Sequence, residues 1–157
     1  VLWHATDAVL AHTPTTEQTA GMDVDVVQPR GKYPHVRTSN GFAFVSGTSS
    51  RRPDNSIAGA DVDEMGTTSL DIVEQTTAVL ETIERNLASV GLDRSDLIDV
   101  SSFLVNMNDF GGYNQAWAAF FQGVEPPART TVAVHQLPHP HLLVEIKAMA
   151  ALRKTNL

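Results

Sequence analysis

Two charged residues stand inside apolar runs where a buried strand would not ordinarily tolerate them. Arg129 opens Pro127-Ala128-Arg129-Thr130-Thr131-Val132-Ala133-Val134, and Glu145 lies within Leu142-Leu143-Val144-Glu145-Ile146-Lys147-Ala148-Met149-Ala150. A guanidinium at a strand end can grip a carboxylate through two parallel hydrogen bonds. A glutamate between valine and isoleucine can sit where water is scarce, and its proton affinity is then tunable. Together they suggest a site for a small carboxylic acid. The same pattern is compatible with a structural ion pair, or with two charges each on the solvent side of its own strand.

Other chemistry-bearing residues are fewer than the composition suggests. Of six histidines, three crowd into Val134-His135-Gln136-Leu137-Pro138-His139-Pro140-His141, but zinc needs three or four convergent ligands. A proline-rich turn with surface histidines is the simpler reading, so no metal site is expected. Arg51-Arg52 sits in the turn-prone stretch Arg51-Arg52-Pro53-Asp54-Asn55 and reads first as solvated surface. No phosphate-binding glycine loop, nucleophile elbow or dinucleotide fingerprint occurs.

The elements that must position these residues follow from periodicity. Gly41 to Gly47 reads as a short strand closed by Gly47, preceded by an extended Tyr33-Pro34-His35-Val36-Arg37. Thr48 to Ala60 reads as a polar loop. From Thr68 to Val90 the apolar residues recur at three and four, with Ile72, Val73, Val79, Leu80, Ile83 and Leu87 on one helix face and Gly91 as the stop. Asp96 to Met107 reads as a strand apolar on both faces. A second helix follows from Asp109 to about Gln122, capped by Asn108, with Phe110, Tyr113, Trp117, Phe120 and Phe121 as its aromatic face. Residues 1–30 read as an N-terminal extension, with a short amphipathic helix around Trp3, Val9 and Leu10. The order predicts a single α+β domain over 31–157, one mixed sheet with two helices on one face. No segment is left to cover the other sheet face, which self-association would bury.

A 157-residue chain with 42% hydrophobic and 18% charged residues can bury a core. The net charge of -7 argues against nucleic acid or an anionic membrane as principal partner. Without cysteine, disulfide and thiolate chemistry are excluded. No run approaches a transmembrane helix, and residues 1–7 lack the character of a secretory signal, so a cytoplasmic location is expected.

Phe44-Val45-Ser46-Gly47, Asn108-Asp109-Phe110 with Asn114, Pro127-Ala128-Arg129, Leu137-Pro138 and Val144-Glu145-Ile146-Lys147-Ala148 resemble the RidA (YjgF) family over roughly residues 32–152. The runs Ser46–Asn55, Val105–Asn114 and Thr130–His141 are most similar to its 2-aminomuconate deaminase subgroup. The resemblance implies a chorismate-mutase-like homotrimer with a central barrel of three sheets and active sites between subunits; whether such trimers pair into hexamers is not set by the sequence. It also implies a cofactor-free deaminase that hydrolyses an enamine or imine and releases ammonia. Arg129 would bind the substrate carboxylate, Glu145 would orient or activate water, and Ser46 and Asn114 would line the cleft. Two positions depart from the family. Pro34 is followed by His35 where tyrosine is common, and Thr131 stands where many members have cysteine, so His35 can supply a hydrogen bond or proton instead. The distal carboxylate of a dicarboxylate substrate needs a second cation or donor, with Arg51, Arg52, His35, His135 and His139 as candidates. A general 2-iminobutanoate/2-iminopropanoate deaminase and a non-catalytic carboxylate-binding trimer are the alternatives.

Overall fold

The computed structural model describes residues 26–154. The amphipathic helix expected around Trp3, Val9 and Leu10 lies outside them. Seven strands and two helices follow in order: β1 (Val36–Ser39), β2 (Phe42–Thr48), β3 (Ala60–Val62), β4 (Thr68–Leu70), α1 (Ile72–Ala88), β5 (Leu97–Leu104), α2 (Phe110–Phe120), β6 (Ala128–Ala133) and β7 (Val144–Ala151). Five strands form one sheet in the order β1-β2-β7-β5-β6, and β3 and β4 form a separate hairpin. Only β5 and β6 run parallel, joined by the α2 crossover. A parallel neighbour requires such a crossover, so the aromatic helix is set directly behind the strand that carries Arg129.

Alternation along β7 is clean. Val144, Ile146, Ala148 and Ala150 are buried under the helices, while Glu145, Lys147 and Met149 point to the opposite face. Val79, Leu80, Ile83 and Leu87 of α1 and Tyr113, Trp117 and Phe120 of α2 fill the core from the other side. Gly112 permits the helices to meet closely, since a Cβ there would lie 2.5 Å from Ile72 Cγ2. Both helices thus pack on one sheet face, as expected. The other face leaves Phe42, Phe44, Ile98 and Val132 exposed. The expectation of a β5 strand covered on each side therefore does not hold within one chain.

Several boundaries differ from the periodicity reading, each for a local reason. The first helix begins at Ile72, because the Asp71 side chain caps it by accepting from the Glu74 amide at 2.9 Å. Residues Thr68–Leu70 pair instead with β3 across a turn in which Asp63 Oδ1 accepts from the amides of Met65 and Thr67. The second helix is introduced by a single 3-10 turn, Met107–Asp109, which Asn106 rather than Asn108 caps. Gly47 does not close its strand. The pairing of β2 with β7 slips between Val45 and Thr48, opposite Ala148 and Ile146 respectively. This bulge inserts one extra residue, so Ser46 and Gly47 together occupy the open side of the sheet.

Candidate active site

The bulge brings the backbone close against a half-buried acid. A Cβ at Gly47 would stand 2.6 Å from Glu145 Oε1, so only glycine leaves the carboxylate where it is. Burial pushes the Glu145 carboxyl above its ordinary value, because the ionised form loses hydration. Among the described residues no cation pairs with it. Beside it, the Ser46 amide donates to the His35 carbonyl at 2.9 Å, and Ser46 Oγ donates to the Pro34 carbonyl at 2.7 Å. His35 Nε2–H donates to the Val27 carbonyl at 2.6 Å, which leaves Nδ1 as the open ring nitrogen when the imidazole is neutral.

These groups border a cleft of about 140 Å³ whose walls include Tyr33, His35, Gly47, Arg51, His139 and Glu145. The outer wall comes from the loop before β7, and a buried glutamine holds that loop. Gln75 Nε2 donates to the carbonyls of His141 at 2.7 Å and Gly59 at 3.2 Å, while its Oε1 accepts from the Leu143 amide at 2.9 Å. Every polar atom of the Gln75 amide is thereby engaged in a site with no exposure.

Arg129 sits elsewhere. Its strand partner is Val100, on the helix-covered face, and its guanidinium carbon lies 4.8 Å from the Trp117 ring centroid, 5.1 Å from Tyr113 and 5.8 Å from Phe110. Such placement over π faces stabilises the cation without an anion. Thr131, two residues on, is also half-buried, and its Oγ1 has no hydrogen-bond partner among the described residues. Asn114 is half-buried on α2, one turn after Phe110 and three residues before Trp117.

The expected residues therefore gather in two places. Glu145, His35, Arg51 and His139 line the cleft, which Thr82 and Asn86 of α1 also border, and Ser46 lies beside it, bonded to the His35 carbonyl. Arg129 and Thr131 lie on the helix side of the edge strand β6, with Asn114 on the helix beside it. Register places Arg129 level with Ala148 and Glu145 level with Phe103. By ordinary strand spacing they are roughly 10 Å apart along the strands and roughly 10 Å across them, and on opposite faces. A structural ion pair within one chain is thereby excluded. Arg52 is directed away and pairs at 3.4 Å with Glu74 on exposed surface. His135 is exposed beyond the end of β6 and is not part of the cleft wall.

Sequence reasoning missed Arg30, Asn55, Tyr33 and Gln75. Arg30 fell in the segment assigned to an extension, although Val27, Pro29 and Arg30 border the cleft, and Gln28 and Arg30 hydrogen-bond to its loop. Among the described residues no cluster of three or more histidine or acidic side chains could hold a metal ion, and no helix is long and apolar enough to cross a membrane.

A family model described as Endoribonuclease L-PSP matches residues 24–152. The chain belongs to that family, the RidA family. A RutC family protein of Haemophilus influenzae is 31% identical over 129 residues, covering 82% of this chain and 98% of the relative. Another from Pyrococcus horikoshii is 35% identical over 123 residues, or 78% of this chain and 89% of the relative. The crystal structure of yeast Mmf1 superposes with a TM-score of 0.70 at 25% identity, over 83% of this chain and 94% of that one. The mixed sheet with two helices is thus the RidA fold, and the match begins before the 1–30 boundary drawn from sequence.

Proposed function

We propose that this RidA protein is a cofactor-independent deaminase of 2-aminomuconate, yielding 4-oxalocrotonate (2-oxohex-3-enedioate) and ammonia in the breakdown of aromatic compounds. The observation that carries the reading is a separation of charge. Glu145 and Arg129 each sit half-buried without a counter-charge among the described residues, and the fold keeps them from neutralising each other. An enzyme that must bind a carboxylate and deprotonate water needs such a pair.

The chemistry then assigns roles. Protonation of the enamine carbon skeleton gives an iminium, water adds to its carbon as a proton leaves the water, and the tetrahedral adduct expels ammonia as the carbonyl forms. Glu145, with its raised proton affinity, takes the proton from water and returns one to the departing nitrogen. Arg129 holds the carboxylate beside the reacting carbon, fixing its position relative to the water. Ser46, Asn114, Thr131 and His35 line the surroundings.

The two faces meet only if copies of the chain assemble. Arg129 lies on the edge strand β6, and the exposed face bearing Phe42, Phe44 and Ile98 calls for cover. A homotrimer in which the β6 edge of one copy approaches the Glu145 cleft of the next satisfies both requirements. A cleft of about 140 Å³ is near the size that takes a benzene-sized guest, so a substrate with two carboxylates needs the added wall. The name of the family suggests RNA cleavage instead, but a net charge of -7 speaks against a phosphate backbone as the principal partner.

The test is ammonia release from enzymatically generated 2-aminomuconate, run beside 2-iminobutanoate and 2-iminopropanoate. Turnover confined to the small imines would make the protein a general imine deaminase. Ligand binding with no ammonia from any of the three would reduce it to a carboxylate-binding trimer.

A further inference from the structure

Arg30 and Arg51 converge on one neutral oxygen. Arg51 Nη1 donates to Asn55 Oδ1 at 2.7 Å, and Arg30 Nη2 donates to the same atom at 3.1 Å. Arg51 Nη2 is anchored by the Gln28 carbonyl. Asn55 presents that oxygen from a turn in which its own backbone is left-handed, at φ 69°, a conformation asparagine tolerates better than most residues. Two guanidinium groups held together repel, and an amide oxygen does not cancel their charge. Among the described residues neither pairs with an acid. Burial and the nearby Arg30 cation lower the proton affinity of Arg51.

Both arginines line the cleft that holds Glu145, with Tyr33 and His35 between the same walls. A guanidinium offers five N–H donors, and the hydrogen bonds above occupy two on Arg51 and one on Arg30. Donors remain for a planar anion.

Taking the proposed deaminase as the frame, we propose that Arg30 and Arg51, set by Asn55, form the subsite for the second carboxylate of a dicarboxylate substrate, in the cleft that Glu145 also lines. Among the candidates for this role, Arg52 is spent on Glu74 and His135 lies outside the cleft. The subsite selects dicarboxylic enamines over monocarboxylic imines, because a monocarboxylate leaves the paired cations uncompensated.

The experiment separates this subsite from the deaminase reading. Calorimetric titration of the full chain with adipate and with hexanoate, which cannot react, measures selection by charge alone. The ratio of their affinities should favour adipate at least tenfold and should fall at least tenfold in Arg51→Gln and in Arg30→Gln, with Arg51→Lys intermediate. The ratio of kcat/KM for 2-aminomuconate over 2-iminobutanoate should fall in parallel. Arg30→Gln alters a segment outside the sheet and serves where Arg51→Gln fails to fold. A ratio unchanged by both substitutions, or no preference for adipate in the unaltered chain, overturns the subsite even if ammonia is released. Adipate selection that depends on Arg51 without ammonia from any substrate upholds the subsite and refutes the deaminase.

Discussion

Substituting Gly47 by alanine should separate activity from stability. The added Cβ would lie 2.6 Å from Glu145 Oε1 and 3.3 Å from its Cδ, so the carboxylate must retreat by roughly half an ångström or more to reach ordinary contact. That atom is the tip of a flexible side chain, and the backbone of Gly47 is not left-handed. The fold should therefore yield cheaply. Loss of glycine from the unfolded chain contributes about 0.4–1 kcal/mol of stability, which offsets the local shift and leaves Tm nearly unchanged. Activity is less forgiving, because a displacement of about 1 Å at a reacting group can cost on the order of 100-fold. Ammonia release should thus fall about 10- to 100-fold in Gly47→Ala at wild-type Tm. In a Glu145→Gln background the same substitution should add little, since its target is already gone. Full activity in Gly47→Ala, or an additive loss in the double variant, would remove Glu145 from the chemistry.

Further outcomes can be checked by kinetics, denaturation and sedimentation. Arg129→Ala should lower kcat/KM by about 100-fold, the loss of two charge-assisted hydrogen bonds at roughly 1.5 kcal/mol each, and Arg129→Lys should recover only part because it cannot form the fork. The raised proton affinity of Glu145 sets a pH dependence. Between the unfolded and the higher folded value the native state binds the extra proton, so stability falls as pH rises through that window. Glu145→Gln should flatten this fall in urea titrations, and the acid limb of kcat/KM should lie above the usual glutamate range. In the core, the Ser102 Oγ and Tyr113 hydroxyl share a buried hydrogen bond of 2.7 Å. Tyr113→Phe should cost about 1–3 kcal/mol by leaving Ser102 unpaired, and adding Ser102→Ala should restore part of it. Phe44→Glu, on the exposed sheet face, should convert the proposed trimer to monomers in sedimentation velocity.

The layered fold was legible because α1 buries one clean stripe and because β7 alternates without interruption. Arg129 and Glu145 were legible as anomalies, charges in apolar runs. Which face each occupied was not, because alternation is read relative to an unknown partner strand. Register against Val100 and Phe103 fixes it. The bulge at Ser46-Gly47 adds one residue without changing composition, so the glycine read as a strand end. Gln75 occupied a polar-looking slot on a helix whose apolar stripe ran past it; its burial depends on carbonyls at Gly59 and His141, distant in sequence. Arg30 and Asn55 acquire meaning only through each other, across a turn that pattern reading treats as surface.

The aromatic bed beneath Arg129 makes the molecule its own optical reporter. Trp117 is one of two tryptophans in the chain, and its indole lies 4.8 Å from a guanidinium, close enough for that charge to bias the excited state. An anion that engages Arg129 shields the ring from the cation, so occupancy can be followed as a change in tryptophan emission without any label.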